Sequence, residues 1–370
     1  MSGKLHDKYT REAVAKLPSR KETISTGWRS PSNIAIVKYW GKSEGQIPRN
    51  PSLSFSLKEA VTEMLLTALP HSGDGFSLEY SFEGKENEAF GMRIRKYLSN
   101  ILPYFPFLNG FSLDIQSHNT FPHSSGIASS ASSMSALALC ICSLEEMMLR
   151  RRTDEEFYTK ASFMARLGSG SASRSVFGGF ASWGFIEGKD DTSDEFASAL
   201  EIKKDTVFSD LNDAVLIVNP GQKKVSSSQG HSLMDSHPFA VGRYKQAGKN
   251  LSEVLQALEN GDVETFIRIT ENEALSLHGL MMSSDPGFIL LEPSTIEIIS
   301  RIRKYREETG SFITFTIDAG PNVHLIYPGE VREAVQIFIR DELLEFCHDG
   351  KWIDDRMGGG PEELNIKDKK

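Results

Sequence analysis

Cysteine is scarce, with Cys140, Cys142 and Cys347 the only three in 370 residues. So few thiols exclude a disulfide framework and fit a reducing compartment. The spacing Cys140-x-Cys142 is too close for a CxxC pair, so no metal site is expected there. Runs of 18 or more apolar residues are missing, and with them any expectation of a membrane span. The first residues also lack the apolar core of a signal peptide. A cytoplasmic location follows as the expectation. Positive charge is in deficit: 41 Lys+Arg against 50 Asp+Glu leave a formal net charge of −9, which argues against a general nucleic-acid surface. No internal repeat is visible.

What the chain does contain is enough apolar material, 39% of its residues, for a sizeable interior, and a length that suggests two domains. The charge is uneven. Residues 1–50 hold ten Lys/Arg and four Asp/Glu, a balance of +6, leaving −15 for the remainder. A local basic patch on an acidic protein suits a small anionic ligand, although residues 1–22 read better as a solvated arm.

Residues 120–132 run Thr-Phe-Pro-His-Ser-Ser-Gly-Ile-Ala-Ser-Ser-Ala-Ser. Alternation at Phe111–Ile115 predicts a strand before them, and Met134, Leu137, Ala138, Ile141, Leu144 and Met148 predict a helix after them. A helix start offers free N–H groups and a partial positive charge to a phosphate. Gly126 allows close backbone approach, and the Ser129 and Ser130 hydroxyls suit phosphate oxygens or Mg²⁺. The same residues read equally as a Ser-rich cap on an ordinary helix. No Gly-Lys-Ser/Thr follows them, so this is not a Walker loop.

Three further stretches stand out. Ile34–Val37 reads as a buried strand ending in Lys38-Tyr39-Trp40-Gly41-Lys42, where a charge is costly unless paired. Residues 168–180 form a Gly/Ser-rich loop around Arg174, whose planar fork suits a phosphate or carboxylate; a flexible linker with an exposed arginine is the plainer reading. Asp318 closes the apolar strand at 312–317, placed to accept a proton or simply to make a turn. Strands are also expected at Pro51–Leu57, Glu63–Leu69, Phe76–Phe82 and Ala214–Val218. Helices are expected at Glu88–Leu102, Asp154–Leu167, 237–259, 261–280 and Thr295–Thr309. Glu187–Thr206 reads as a surface connection, and Lys223–His231 as a second basic, hydroxyl-rich turn. His278 reads as a ligand-facing group or as a core histidine.

Taken together and in order, these stretches resemble the diphosphomevalonate decarboxylase family of the GHMP kinase superfamily, over roughly residues 25–345. The segments that carry the resemblance are Pro31-x-Asn33-Ile34-Ala35-x-x-Lys38-Tyr39-Trp40-Gly41-Lys42, Pro122-x-x-x-Gly126-Ile127-Ala128-Ser129-Ser130, Gly168-Ser169-Gly170-Ser171-Ala172-x-Arg174-Ser175, Val225-Ser226-Ser227 and Asp318-Ala319-Gly320-Pro321-Asn322. The resemblance implies an α+β, two-domain GHMP kinase fold with the active site in the cleft between domains. It implies an N-terminal domain at 26–210 and a C-terminal domain at 211–350; outside them, polar residues 1–25 read as an arm or short helix, and 351–370, with Gly358-Gly359-Gly360-Pro361 and a charged end, as a disordered tail.

It further implies ATP and Mg²⁺, a small phosphorylated substrate, no nucleic-acid or membrane partner, and room for a homodimer. The implied reaction phosphorylates the 3-hydroxyl of mevalonate 5-diphosphate, then releases phosphate and CO₂ to give isopentenyl diphosphate. Asp318, Arg174 and Lys38 carry the implied catalysis. Tyr39, Trp40, Lys42, Ser169, Ser171, Ser226 and Ser227 hold substrate; Ser124, Ser125, Gly126, Ile127, Ala128, Ser129 and Ser130 hold ATP, with Ser129 on the metal. Rival readings are a related enzyme acting on mevalonate or its 5-phosphate, and a non-catalytic ligand sensor. The chain departs from the family at three places. Glu273-Ala274-Leu275 stands where Asp-Ser-Asn is usual, Ser30 stands for Ala, and Ser228 occupies a position where some members carry arginine.

Overall fold

A computed structural model describes residues 4–13, 22–122, 127–149, 153–203, 205–221 and 227–366, apart from the side chains of Ser227 and Ser228. The first half of the chain opens with helix α1 (Lys4–Glu12) and strand β1 (Ile24–Val37), then the small hairpin β2 (Lys42–Ser43) and β3 (Ile47–Pro48). Next come β4 (Ser52–Pro70), β5 (Ser77–Phe82), β6 (Lys85–Glu86), α2 (Glu88–Ile101) and β7 (Phe111–Asn119). Helices α3 (Ser129–Leu149) and α4 (Asp154–Gly168) follow, then β8 (Phe180–Trp183) and β9 (Ala197–Leu200).

The second half holds β10 (Leu211–Leu216), α5 (Ser227–Ser232), α6 (Ala240–Asn260), α7 (Val263–Met282), α8 (Pro293–Thr309), β11 (Thr314–Ile317) and β12 (Val323–Pro328). It ends with α9 (Arg332–Phe338), β13 (Trp352–Arg356) and β14 (Glu362–Glu363).

The eight strands of the larger sheet run β14-β1-β4-β7-β5-β6, with β8 joining β4 and β9 joining β8. The smaller sheet is the antiparallel set β11-β12-β10-β13. Alternation along β7, with Phe111, Leu113 and Ile115 buried, turns one face of the large sheet onto α2, α3 and α4. Helix α3 is long and apolar enough in composition to cross a membrane, yet it is largely enclosed by protein. Its Ala, Ser and Cys side chains let it lie close against β1 and β4, and Cys140 and Cys142 are buried thiols within it.

A second apolar cluster joins the two halves. Ile34, Ile36, Val37, Leu53 and Phe55 pack with Leu211, Val215, Ile217, Leu251 and Phe266. The end of β1 is thereby fixed between halves, and side chains from both meet there.

Three expectations need correction. The segments expected as separate strands at Pro51–Leu57 and Glu63–Leu69 are one strand, β4, with only Lys58 and Glu59 turned to solvent near its middle. Glu187–Thr206 is more than a surface connection, because Ala197–Leu200 pairs with β8 and the Glu195 side chain is buried. The tail expected to be disordered is ordered through residue 366. Strand β13 completes the small sheet beside β10, and β14 adds to the large one through Trp28 and Arg29 of β1.

Charged residues hide the order of the tail from a reading of its sequence. The carboxylate of Asp355 is buried and accepts the main-chain N–H groups of Lys58, Glu59 and Ala60 at 2.8–3.1 Å, which settles the polar cost of burial. Gly358 N–H donates to Ser56 C=O, and Gly178 lies so close to Gly359 and Gly360 that a Cβ there would collide with the tail backbone.

Candidate active site

The apolar run of β1 stops at Val37, and the chain then leaves the sheet with Lys38 facing the other half. Its side chain is only 2% exposed, and Nζ donates to Oδ1 of Asp318 at 2.7 Å. Asp318 stands one residue past the end of β11, 24% exposed, where a tight turn closes with Gly320 N–H donating to its carbonyl at 2.7 Å. Two residues 280 positions apart are therefore in direct ion contact. The same Asp318 carbonyl accepts from Nε2 of His278 at 3.0 Å. A carbonyl only accepts, so the His278 proton is assigned to Nε2.

Arg174 lies in a helical turn spanning Gly170–Val176 and is buried. Its Nε donates to Ser54 Oγ at 2.8 Å, one Nη to Ser52 Oγ, and the other Nη to Asn33 Oδ1 at 3.4 Å. All three acceptors are neutral. Burial pulls its pKa down to about 10, and the negative charge that most opposes this is Asp318. A buried guanidinium held by neutral oxygens favours an anion alongside it.

Tyr39 is wedged between Trp183 and His231, at ring-centroid separations of 4.7 Å and 4.3 Å. Its hydroxyl is buried without a hydrogen-bond partner among the described residues, and burial raises its pKa. Gly170 touches this ring closely, since a Cβ there would come within 2.8 Å of both Tyr39 and Trp183. That contact accounts for the second glycine of the Gly-Ser-Gly stretch.

Trp40 is buried in an apolar cluster with Met234, Leu277 and Met281 and serves as a wall. Lys42, on the small hairpin, donates from Nζ to Gln46 Oε1 at 2.9 Å, and burial lowers its pKa. Ser169 links two loops: its Oγ lies 3.5 Å from both Ser130 Oγ, at the start of α3, and Ser171 Oγ. Ile127 is buried, and Ala128, Ser129 and Ser130 are half-buried at the entrance to α3. Ser124, Ser125, Gly126 and Ser226 lie outside the described residues, as does the side chain of Ser227.

Sequence reading assigned no role to His231, Arg243, Asn250 or Glu273. The His231 ring sits against both Tyr39 and Trp40, and its Nδ1 accepts from Gly41 N–H at 2.9 Å. Glu273 is fully buried and accepts from Arg243, Asn250 and the Lys38 main chain. The departure from Asp-Ser-Asn at Glu273 was the one signal in the sequence that pointed to it.

The family match decides what this geometry belongs to. Residues 30–197 match the diphosphomevalonate decarboxylase-like N-terminal domain, and residues 214–354 match the mevalonate 5-diphosphate decarboxylase C-terminal domain. The chain belongs to the diphosphomevalonate decarboxylase family. The diphosphomevalonate decarboxylase of Saccharomyces cerevisiae is 30% identical over 333 residues, covering 84% of this chain and 80% of the relative. The crystal structure of mevalonate diphosphate decarboxylase from Staphylococcus aureus superposes with a TM-score of 0.78 at 28% identity, over 93% of this chain and 99% of that one. A structure of MDDEF in complex with MVAPP, AMPPCP and magnesium gives 0.77 at 30% identity, with 93% and 99% covered. The α+β architecture in two parts is thus the decarboxylase family's own.

Both buried histidines of this decarboxylase-family site make a prediction about acid. Burial, the largest cause in each case, lowers the pKa of His278 to about 4 and of His231 to about 3, from an ordinary 6.5. The unfolded chain therefore binds more protons than the folded one between about pH 6.5 and 4, so stability falls as the pH drops through that window. Each unit of unmatched uptake costs about 1.4 kcal/mol per imidazole, so the pair should remove on the order of 3 kcal/mol between pH 6.5 and 5. Urea midpoints across that range read the effect, and His278→Gln should flatten the slope. An identical slope in that variant would show that His278 takes up its proton in the folded state.

Proposed function

We propose that this chain converts mevalonate 5-diphosphate to isopentenyl diphosphate at the Lys38–Asp318–Arg174 constellation, consuming ATP with Mg²⁺. Decarboxylation of mevalonate diphosphate is the activity of the family. The observation that carries the residue assignment is a strand-end carboxylate held by Lys38 within electrostatic reach of a buried guanidinium whose hydrogen-bond partners, among the described residues, are all neutral. Asp318 accepts the proton of the substrate's tertiary hydroxyl as that oxygen takes up the γ-phosphoryl group. Lys38 fixes the carboxylate and adds positive charge where phosphoryl oxygens gather. Arg174 receives the substrate carboxylate, whose release as CO₂ expels the newly formed phosphate ester. Positioning and charge stabilisation are what phosphoryl transfer needs, and the electron pair left by CO₂ goes into the new double bond as phosphate departs.

The helix start at Ser129–Ser130, with the loop before it, is the cradle for ATP phosphates. Among the described residues no three His, Cys, Asp or Glu side chains cluster as a metal site. Hydroxyl oxygens at Ser129 and Ser130 are hard donors, and Mg²⁺ takes few protein ligands when phosphates supply the rest. The donor set therefore fits an ion that arrives on the nucleotide and neutralises its phosphate charge. Residues 26–210 and 211–356 act as the two domains that hold these ligands, with β14 returning to the sheet of the first.

Tyr39, Lys42, Ser226 and Ser227 remain for the far phosphates of the substrate. A charge-assisted hydrogen bond contributes roughly 1.5–3 kcal/mol, so a substrate lacking one phosphate should lose about tenfold or more in specificity constant. ATP-dependent CO₂ release from mevalonate, its 5-phosphate and its 5-diphosphate tests this, with the diphosphate expected to be preferred. Equal specificity constants for the two phosphorylated compounds would assign the chain to the monophosphate reaction instead.

A further inference from the structure

Lys38 lies beyond the last ladder position of β1, so its main-chain groups are not bonded as strand residues are. Side chains take them instead, Glu273 and Arg243 from the other half and Asn50 from its own. Its N–H donates to Glu273 Oε2 at 2.8 Å. Its carbonyl accepts from Asn50 Nδ2 at 2.9 Å and from Arg243 Nη2 at 3.3 Å. Arg243 and Glu273 form a two-pronged pair at 2.7 and 2.5 Å, and Asn250 Nδ2 adds a bond to Glu273 Oε1 at 2.6 Å. Both charged side chains are almost wholly enclosed, at 2% and 0% exposure.

A buried pair of this kind is weak evidence for stability, since apolar side chains of similar size often serve as well. Among the described residues this pair also leaves Arg243 Nε buried without a partner. The orientation that costs this bond allows the guanidinium to touch Glu273 and the Lys38 carbonyl at once. Five residues further along α7, His278 holds the main-chain carbonyl of Asp318. One helix therefore grips the backbone on both sides of the Lys38–Asp318 contact.

We propose that Glu273, together with Arg243, is a positioning residue that sets where the Lys38 ammonium meets Asp318. Neither need touch substrate. The inference rests on Lys38 and Asp318 being the reacting pair, as proposed above. Small displacements of such groups are costly, about 10²-fold in rate for an ångström.

The test is the double variant R243M/E273M, which removes both buried charges and fills their volume. A folded double variant should retain KM values for ATP and mevalonate 5-diphosphate within a factor of about three, while kcat for CO₂ release falls about 10²-fold. Glu273→Gln, where soluble, should show the same split. Wild-type kcat in the folded double variant, or a loss confined to KM, would overturn the proposal. Failure of the double variant to fold would assign the pair to stability and overturn it equally. Asp318→Asn serves as the control: full activity there rejects the reacting pair itself, whereas an inactive Asp318→Asn beside a fully active R243M/E273M rejects only the positioning role.

Discussion

Asp318→Asn is expected to fold, to bind ATP and mevalonate 5-diphosphate, and to release CO₂ slower by two or more orders of magnitude, the usual scale for a general base. The reason is geometric as well as chemical. The asparagine amide keeps the shape of the carboxylate, and the turn at Gly320 depends on the Asp318 main chain, which the substitution leaves in place. The contact with Lys38 Nζ at 2.7 Å can still be made by the amide oxygen. Only the capacity to take a proton is lost, together with one negative charge beside Lys38 and Arg174. Single-turnover measurements of ADP and CO₂ separate phosphoryl transfer from decarboxylation, and both should slow together because the hydroxyl must be phosphorylated first. Turnover near that of the parent would remove Asp318 from the mechanism.

Arg174→Lys is the second large effect. The guanidinium reaches three acceptors on two strands, Ser52 and Ser54 on β4 and Asn33 on β1. A lysine ammonium is a point charge that cannot span them and still present two parallel donors to a carboxylate. Loss of one such preorganised donor costs about 10²–10³-fold in kcat in comparable sites, and a fall of that size is expected here in CO₂ release. Nucleotide affinity, read by equilibrium titration, should survive. Its collapse would make Arg174 a nucleotide contact and leave the substrate carboxylate without an assigned partner.

The sequence made some of this legible because certain signals are local. The apolar run Ile34–Val37 ending in a lysine, the strand ending in Asp318, and a lone arginine among small residues each stand out within a dozen positions. Their side chains meet at a single site, Lys38 on Asp318 and Arg174 within electrostatic reach. Other parts depend on contacts that no local pattern encodes. Glu273 lies 235 positions from Lys38 and 30 from Arg243, and as a charged residue on a helix it reads as solvated until both partners are in place. His231 looked like part of a basic turn, whereas it is a neutral ring filling the space beside Tyr39 and Trp40. The run Gly358-Gly359-Gly360-Pro361 and the charged end made the tail read as disordered. A strand bonds through its main chain, however, and the buried carboxylate of Asp355 finds three backbone donors rather than a cation.

The order in which the chain is made gives that tail a further meaning. Strand β14 covers the edge of β1, and β13 covers the edge of β10; both are synthesised after every strand they join. While the polypeptide is still emerging from the ribosome, those two edges stand open, and an open edge is a template for pairing with another chain. The nascent protein stays open to misassembly at those edges until residues 352–363 have been made, and protection by a chaperone should matter in that interval.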